Sequence, residues 1–103
     1  VIPVSRFDHT AIDDVIHGRL RLGIMAYLST VSPAPFVELK AKVNATDGNL
    51  STHLTKLEEA GYVRIEKTFA GKKPLTLVHL TKSGRDAWID YLNRLQALIS
   101  AAE

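Results

Sequence analysis

The chain has 103 residues, of which 46% are hydrophobic and 23% charged, with a formal net charge of +2. That is room for one domain around a single core, and the composition excludes an intrinsically disordered chain. The absence of cysteine excludes disulfides, zinc–thiolate sites, iron–sulfur clusters and thiol catalysis.

No apolar run approaches the roughly 18 residues that would span a membrane. The opening Val1-Ile2-Pro3-Val4 is too short for a signal-peptide core, so the expectation is a cytoplasmic protein without membrane contact. Residues 1–103 read as a single domain with an N-terminal arm over 1–9. Thr10-Ala11-Ile12-Asp13 has the spacing of a capping box and predicts a short helix to about Ile16, with Gly18 ending or bending it. An apolar helix is predicted over about 18–31. Leu20, Ile24, Tyr27, Leu28 and Val31 lie on one face and Leu22 and Met25 on the other, so both sides need cover. Ser32-Pro33-Ala34-Pro35 stops it.

Pro35 suits the first turn of a helix over about 35–42 that buries Phe36, Leu39 and Val43. Val43-Asn44-Ala45 makes a tight turn, and Thr46 or Asp47 caps a helix running to about Glu59 or Ala60, on the stripe Leu50, Leu54, Leu57. Gly61 is its expected stop. From Tyr62 the period changes to two. Residues 62–69 form a strand, Ala70-Gly71-Lys72-Lys73-Pro74 a turn and Leu75–Leu80 the return strand. Thr81 caps a last helix over about 82–101, about 30 Å long. Its apolar positions Trp88, Tyr91, Leu92, Leu95, Leu98, Ile99 and Ala102 are heptad-like. The fold class is mainly α with a small β-hairpin.

Two helices joined by a tight turn over 35–60 are a helix-turn-helix, and the hairpin over 62–80 directly after it is a wing. The charge follows this division. Residues 62–82 hold Arg64, Lys67, Lys72, Lys73 and Lys82 against Glu66, a surplus of four that exceeds the net charge of the chain. Solvation of an exposed hairpin would account for such lysines. Following the preceding helix pair, Lys67, Lys72 and Lys73, with Thr68, read as contacts to phosphate or the minor groove. Arg64 and Glu66 alternate with Val63 and Ile65 and are expected to pair with each other.

In this order the elements resemble winged helix-turn-helix transcriptional regulators of the MarR and ArsR type, and in particular compact single-domain members with a long C-terminal helix. The residues carrying the likeness are Arg19-Leu20-Arg21-Leu22-Gly23-Ile24-Met25-Ala26-Tyr27-Leu28, Phe36-Val37-Glu38-Leu39-Lys40, the run from Asp47 through Leu57-Glu58-Glu59-Ala60-Gly61-Tyr62-Val63, Lys67 through Pro74, and Leu80-Thr81-Lys82-Ser83-Gly84-Arg85. The likeness covers about residues 12–95. It implies a homodimeric, sequence-specific binder of double-stranded DNA at a pseudo-palindromic operator.

The residues themselves supply a reading face. With Leu50, Leu54 and Leu57 inward at about 100° per residue, Gly48, Asn49, Thr52, Thr55, Lys56 and Glu59 lie opposite and Ser51 on the shoulder. Asn pairs with adenine, Thr touches a thymine methyl or a phosphate, and Gly48 permits close backbone approach at a phosphate-favouring helix N-terminus. Candidate DNA-binding residues are therefore Thr46, Gly48, Asn49, Ser51, Thr52, Thr55 and Lys56 on the helix and Lys67, Thr68, Lys72 and Lys73 on the wing. Arg19 and Arg21 either support the fold or approach the DNA backbone, and Tyr27 and Phe36 are expected in the core. Leu22, Met25, Trp88, Tyr91, Leu92, Leu95, Leu98 and Ile99 exceed what so small a core covers and are the candidate dimer interface.

His9, His17, His53 and His79 show no helical ligand spacing, so no metal is expected, and His53 is expected to pack against the preceding helix. No cofactor is required. No nucleophile–base pair or phosphate-cradling glycine loop argues for an enzyme, and no polar cluster points to a small-molecule effector. The rival function is a winged helix used for protein–protein assembly, which would tolerate glutamate at Lys72 and Lys73 where a DNA binder would not.

Overall fold

The computed structural model describes residues 9–102. After a 3-10 turn at His9–Ala11 come α1 (Arg19–Leu28), β1 (Ala34–Pro35), α2 (Phe36–Lys42), α3 (Asp47–Glu59), β2 (Val63–Ala70), β3 (Lys73–Leu80) and α4 (Lys82–Ala102). The strands form an antiparallel sheet in the order β1-β3-β2, with Val63 opposite Leu80 and Ala70 opposite Lys73. The core lies between α1, α2 and α3 on one side and this sheet on the other. Ile24, Met25, Leu28, Leu39, Leu50, Leu57 and Val78 are wholly buried in it. Among the described residues no helix is long and apolar enough to cross a membrane.

The helix predicted from Thr10 to Ile16 is a set of turns instead. Asp13 is otherwise engaged: its Oδ1 accepts from the Val15 and Ile16 amides, and its Oδ2 accepts from the Tyr62 hydroxyl. A carboxylate held this way does not reach back to close a capping box. Gly18 does not end a helix but precedes α1 as its N-cap, in an extended conformation. α1 stops at Leu28, short of the predicted Val31. The Ser29 and Thr30 hydroxyls donate to the Ala26 and Tyr27 carbonyls there, satisfying the open helix end. The predicted arm lies outside the described residues apart from His9, as does the side chain of Ala102.

Two differences concern the sheet. Ala34–Pro35, read from sequence as a helix stop and, at Pro35, as the first turn of the next helix, pairs with β3 as a short third strand, Ala34 opposite Val78. Two residues are too few to show a period. The wing turn is also tighter than predicted: Gly71 and Lys72 alone close it, and Lys73 and Pro74 belong to β3. Gly71 has φ +65°, which a short hairpin loop requires and which glycine adopts without steric cost.

α4 is fixed to this body by its first half. The Thr81 hydroxyl accepts from the Gly84 amide and donates to the Gly61 carbonyl. Gly84 is buried against the chain at Tyr62, where an added Cβ would lie 2.1 Å from the Tyr62 carbonyl oxygen. Tyr91 is buried, stacked on Trp88 at 5.8 Å, and its hydroxyl meets His17 Nδ1 at 2.9 Å. Gly84→Ala should therefore destabilise the fold by about 2 kcal/mol, roughly 10 °C in melting temperature. Gly48→Ala, where the added methyl meets nothing within 4 Å, should leave melting unchanged or raise it. Thermal unfolding followed by circular dichroism checks both.

Candidate nucleic-acid interface

α2 and α3 are held at a fixed angle by a short connection. Asn44 takes φ 54° there, a left-handed conformation that asparagine tolerates, and the Ala45 amide donates to the Lys40 carbonyl. Thr46 is the N-cap of α3, its Oγ1 accepting from the Asn49 amide at 3.2 Å. Asp47 does not cap; it pairs with Lys40 at 2.8 Å, which neutralises the one acid in the first turn. At the other end Gly61, at φ +81°, closes α3. Its amide donates to Glu58 and that of Tyr62 to Leu57, the paired bonds of a Schellman stop.

Leu50, Leu54 and Leu57 are buried, and Gly48, Asn49, Ser51, Thr52, Thr55 and Lys56 are all exposed, as is Thr46. The exposed face is small and polar over its first two turns. On the hairpin, odd-numbered residues of β2 face α3. Ser51, Leu54, Thr55 and Glu58 of α3 line one crevice with Ile65 and Lys67 of β2 and Thr76 of β3. Helix and wing thus form one surface. Lys67, Lys72 and Lys73 are exposed, and no ion pair among the described residues engages them or Lys56. Thr68 alternates to the other face and does not join Lys67 in the crevice. Glu66 pairs with His79 at 2.7 Å across the sheet, and not with Arg64 as expected, because the Glu66 carboxylate reaches the neighbouring strand.

The opposite flank of α3 is a groove against α1, lined in part by Arg19, Lys42, Asn44, Asn49 and His53. Arg19 is exposed there, whereas Arg21 serves the fold. Its Nε donates to the Val15 carbonyl at 2.6 Å and its Nη1 to His53 Nδ1 at 2.9 Å. Lys42 and Asn44 were not singled out from sequence; a basic residue ending the helix before the turn was their signal. Tyr27 and Phe36 are half-buried against the core, and the Tyr27 hydroxyl donates to Glu38.

The residues expected at the dimer seam differ in exposure. Met25 and Tyr91 are enclosed by their own chain and have no surface left for a partner. Leu22, Trp88, Leu95 and Leu98 are half-buried, while Leu92 and Ile99 are exposed. Ile89, not singled out from sequence, is exposed beside them, one helical turn before Leu92. No group of three metal-ligating side chains occurs among the described residues.

Residues 20–99 match the model of a family described as winged helix DNA-binding domain. The chain belongs to that family. An uncharacterized protein of Methanocaldococcus jannaschii is 36% identical over 84 residues, which cover 82% of this chain and 91% of that protein. A solved structure described as a transcriptional regulator homologue, from Pyrococcus horikoshii, is 32% identical with a TM-score of 0.82, covering 86% of this chain and 88% of that one. A MarR-family transcriptional regulator from Silicibacter pomeroyi has the same fold at 22% identity and a TM-score of 0.64, over 85% of this chain and 56% of that one. The winged-helix assignment makes α2 and α3 the helix-turn-helix and the β2–β3 hairpin the wing.

His53 sets the flank of α3. Partial burial, then the cations Arg21 and Lys56, hold its imidazole below the ordinary value of 6.5. Because the folded form favours neutral His53, its contribution to stability is present above pH 6.5 and is lost as pH falls through the lowered value. His53→Gln should flatten that acid limb, and NMR titration should place the His53 midpoint below 6.5.

Proposed function

We propose that this chain is a homodimeric, sequence-specific regulator of transcription that binds a pseudo-palindromic duplex operator. α3 lies in the major groove and presents Asn49, Thr52 and Thr55 to base edges, with Gly48 and Ser51 admitting close approach. Lys56, Lys67, Lys72 and Lys73 neutralise phosphates on either side. The observation that carries this reading is the shared surface of α3 and the wing: a small, polar helix face, with Glu58 at its edge in the crevice, continuous with lysines that no ion pair among the described residues engages. Such lysines release counterions on binding, so affinity should be steeply salt-dependent.

The exposed stripe of α4 supports the dimer. Among its described side chains only Gly84 and Tyr91 are buried, and Ile89, Leu92 and Ile99 are 51%, 43% and 51% exposed on one side. A second copy related by a two-fold axis would cover that stripe. It would also set two α3 helices about 34–36 Å apart, one turn of DNA.

Selection of the purified protein on a random duplex pool tests the reader. An inverted repeat with half-sites about one helical turn apart is expected. Asn49→Ala should relax selectivity at one position per half-site, and Lys72→Gln with Lys73→Gln should lower the salt slope by about 0.9 per lost phosphate contact. Binding without an enriched sequence would overturn it. For the dimer, light scattering should give twice the chain mass, and Leu92→Glu with Ile99→Glu should halve it with helicity retained. An unchanged mass would refute α4 as the junction.

A further inference from the structure

Phe69 is 68% exposed at the tip of the wing and is not among the apolar side chains packed on the core. It lies on the same face of β2 as Val63, Ile65 and Lys67, the face that meets the core and then the crevice with α3. Phe69 continues this face outward past the end of the crevice, with Pro74 directly opposite on β3. About four residues, roughly 13 Å of strand, separate it from Ile65. The two-residue turn at Gly71–Lys72 makes the tip narrow, and Lys67, Lys72 and Lys73 surround it without an ion-pair partner among the described residues.

An apolar ring bordered by free cations suits a partner with apolar edges between rows of negative charge. The minor groove of duplex DNA has that chemistry: sugar and base edges about 6 Å across, bounded by phosphates. We propose that Phe69, backed by Pro74, is a wedge that the wing lysines hold in the minor groove flanking the α3 site. There the ring presses against a base step and partly unstacks it. The wing thereby selects deformable steps by shape, without hydrogen bonds to bases. This inference rests on the duplex-binding reading above.

The test uses duplexes of the selected site that differ only in the step beneath the wing, TA against GG, with a fluorescent aminopurine beside it. Wild type should favour TA, and its binding should raise aminopurine emission. Phe69→Ala should bind TA about tenfold more weakly, lose the step preference and the emission change, and keep its salt slope and melting temperature. Phe69→Leu should recover part of the preference. Lys72→Gln with Lys73→Gln should lower the slope but retain the preference. Equal affinity and step preference in Phe69→Ala would overturn the wedge while leaving duplex binding intact. A change in self-association at unchanged DNA affinity would assign Phe69 to a protein contact and overturn it too. Failure of the wild type to bind any duplex would overturn the DNA reading itself.

Discussion

Tyr62 joins the parts that the rest of the molecule keeps in register. Its amide closes the Schellman stop of α3, and its carbonyl accepts from the Thr81 amide at 3.1 Å. The same carbonyl lies against the site where only Gly84 fits at the start of α4. Its hydroxyl donates to Asp13, which organises the turns before α1. The bond to Asp13, helped by burial, pushes the phenol up to about 12. One residue thus fixes the end of α3, the root of the wing and the start of α4. The distance between α3 and α4 is therefore set by packing and short bonds, not by a linker.

The surface charge follows from local pairing more than from the net value. Asp47 is neutralised by Lys40, and Glu66 is taken by His79. On α4, Asp86 and Asp90 pair with Lys82 and Arg94 one turn away. Exposed pairs of this kind stabilise little, about 0–1 kcal/mol each. Their consequence is what they leave over: among the described residues no ion pair engages Lys56, Lys67, Lys72 or Lys73. A net charge of +2 understates the field on that side of the molecule.

α4 departs from the rest of the chain. Its inner side is anchored at Gly84 and Tyr91, while Ile89, Leu92 and Ile99 stay open. The long axis of the molecule, 59 Å against 24 and 21 Å, shows a chain that is not closed on itself. Apolar surface of that extent along one helix side is costly in water unless covered. The proposed second subunit removes that cost and places two reading helices on one face.

The four helices and the two hairpin strands were legible in type and order because each leaves a local mark, whereas the turns over residues 10–16 and the short β1 were not. The period changes from 3.6 to two at Tyr62, Gly61 and the prolines act as stops, and Thr46 and Thr81 act as caps. The leucine stripe of α3 equally determined which of its residues face outward. Long-range partners leave no such mark. The sequence has no means of showing that Asp13 bonds Tyr62, that Glu66 reaches His79, or that Ala34 pairs with Val78. For the same reason α4 could be read as apolar but not divided. Its spacing shows a stripe, while the packing of Tyr91 against the core decides which part of the stripe is spent inside the subunit and which remains outside. Local chemistry set the elements of this protein; the tertiary structure, by pairing groups far apart in the chain, decided which of their faces were left to meet a partner.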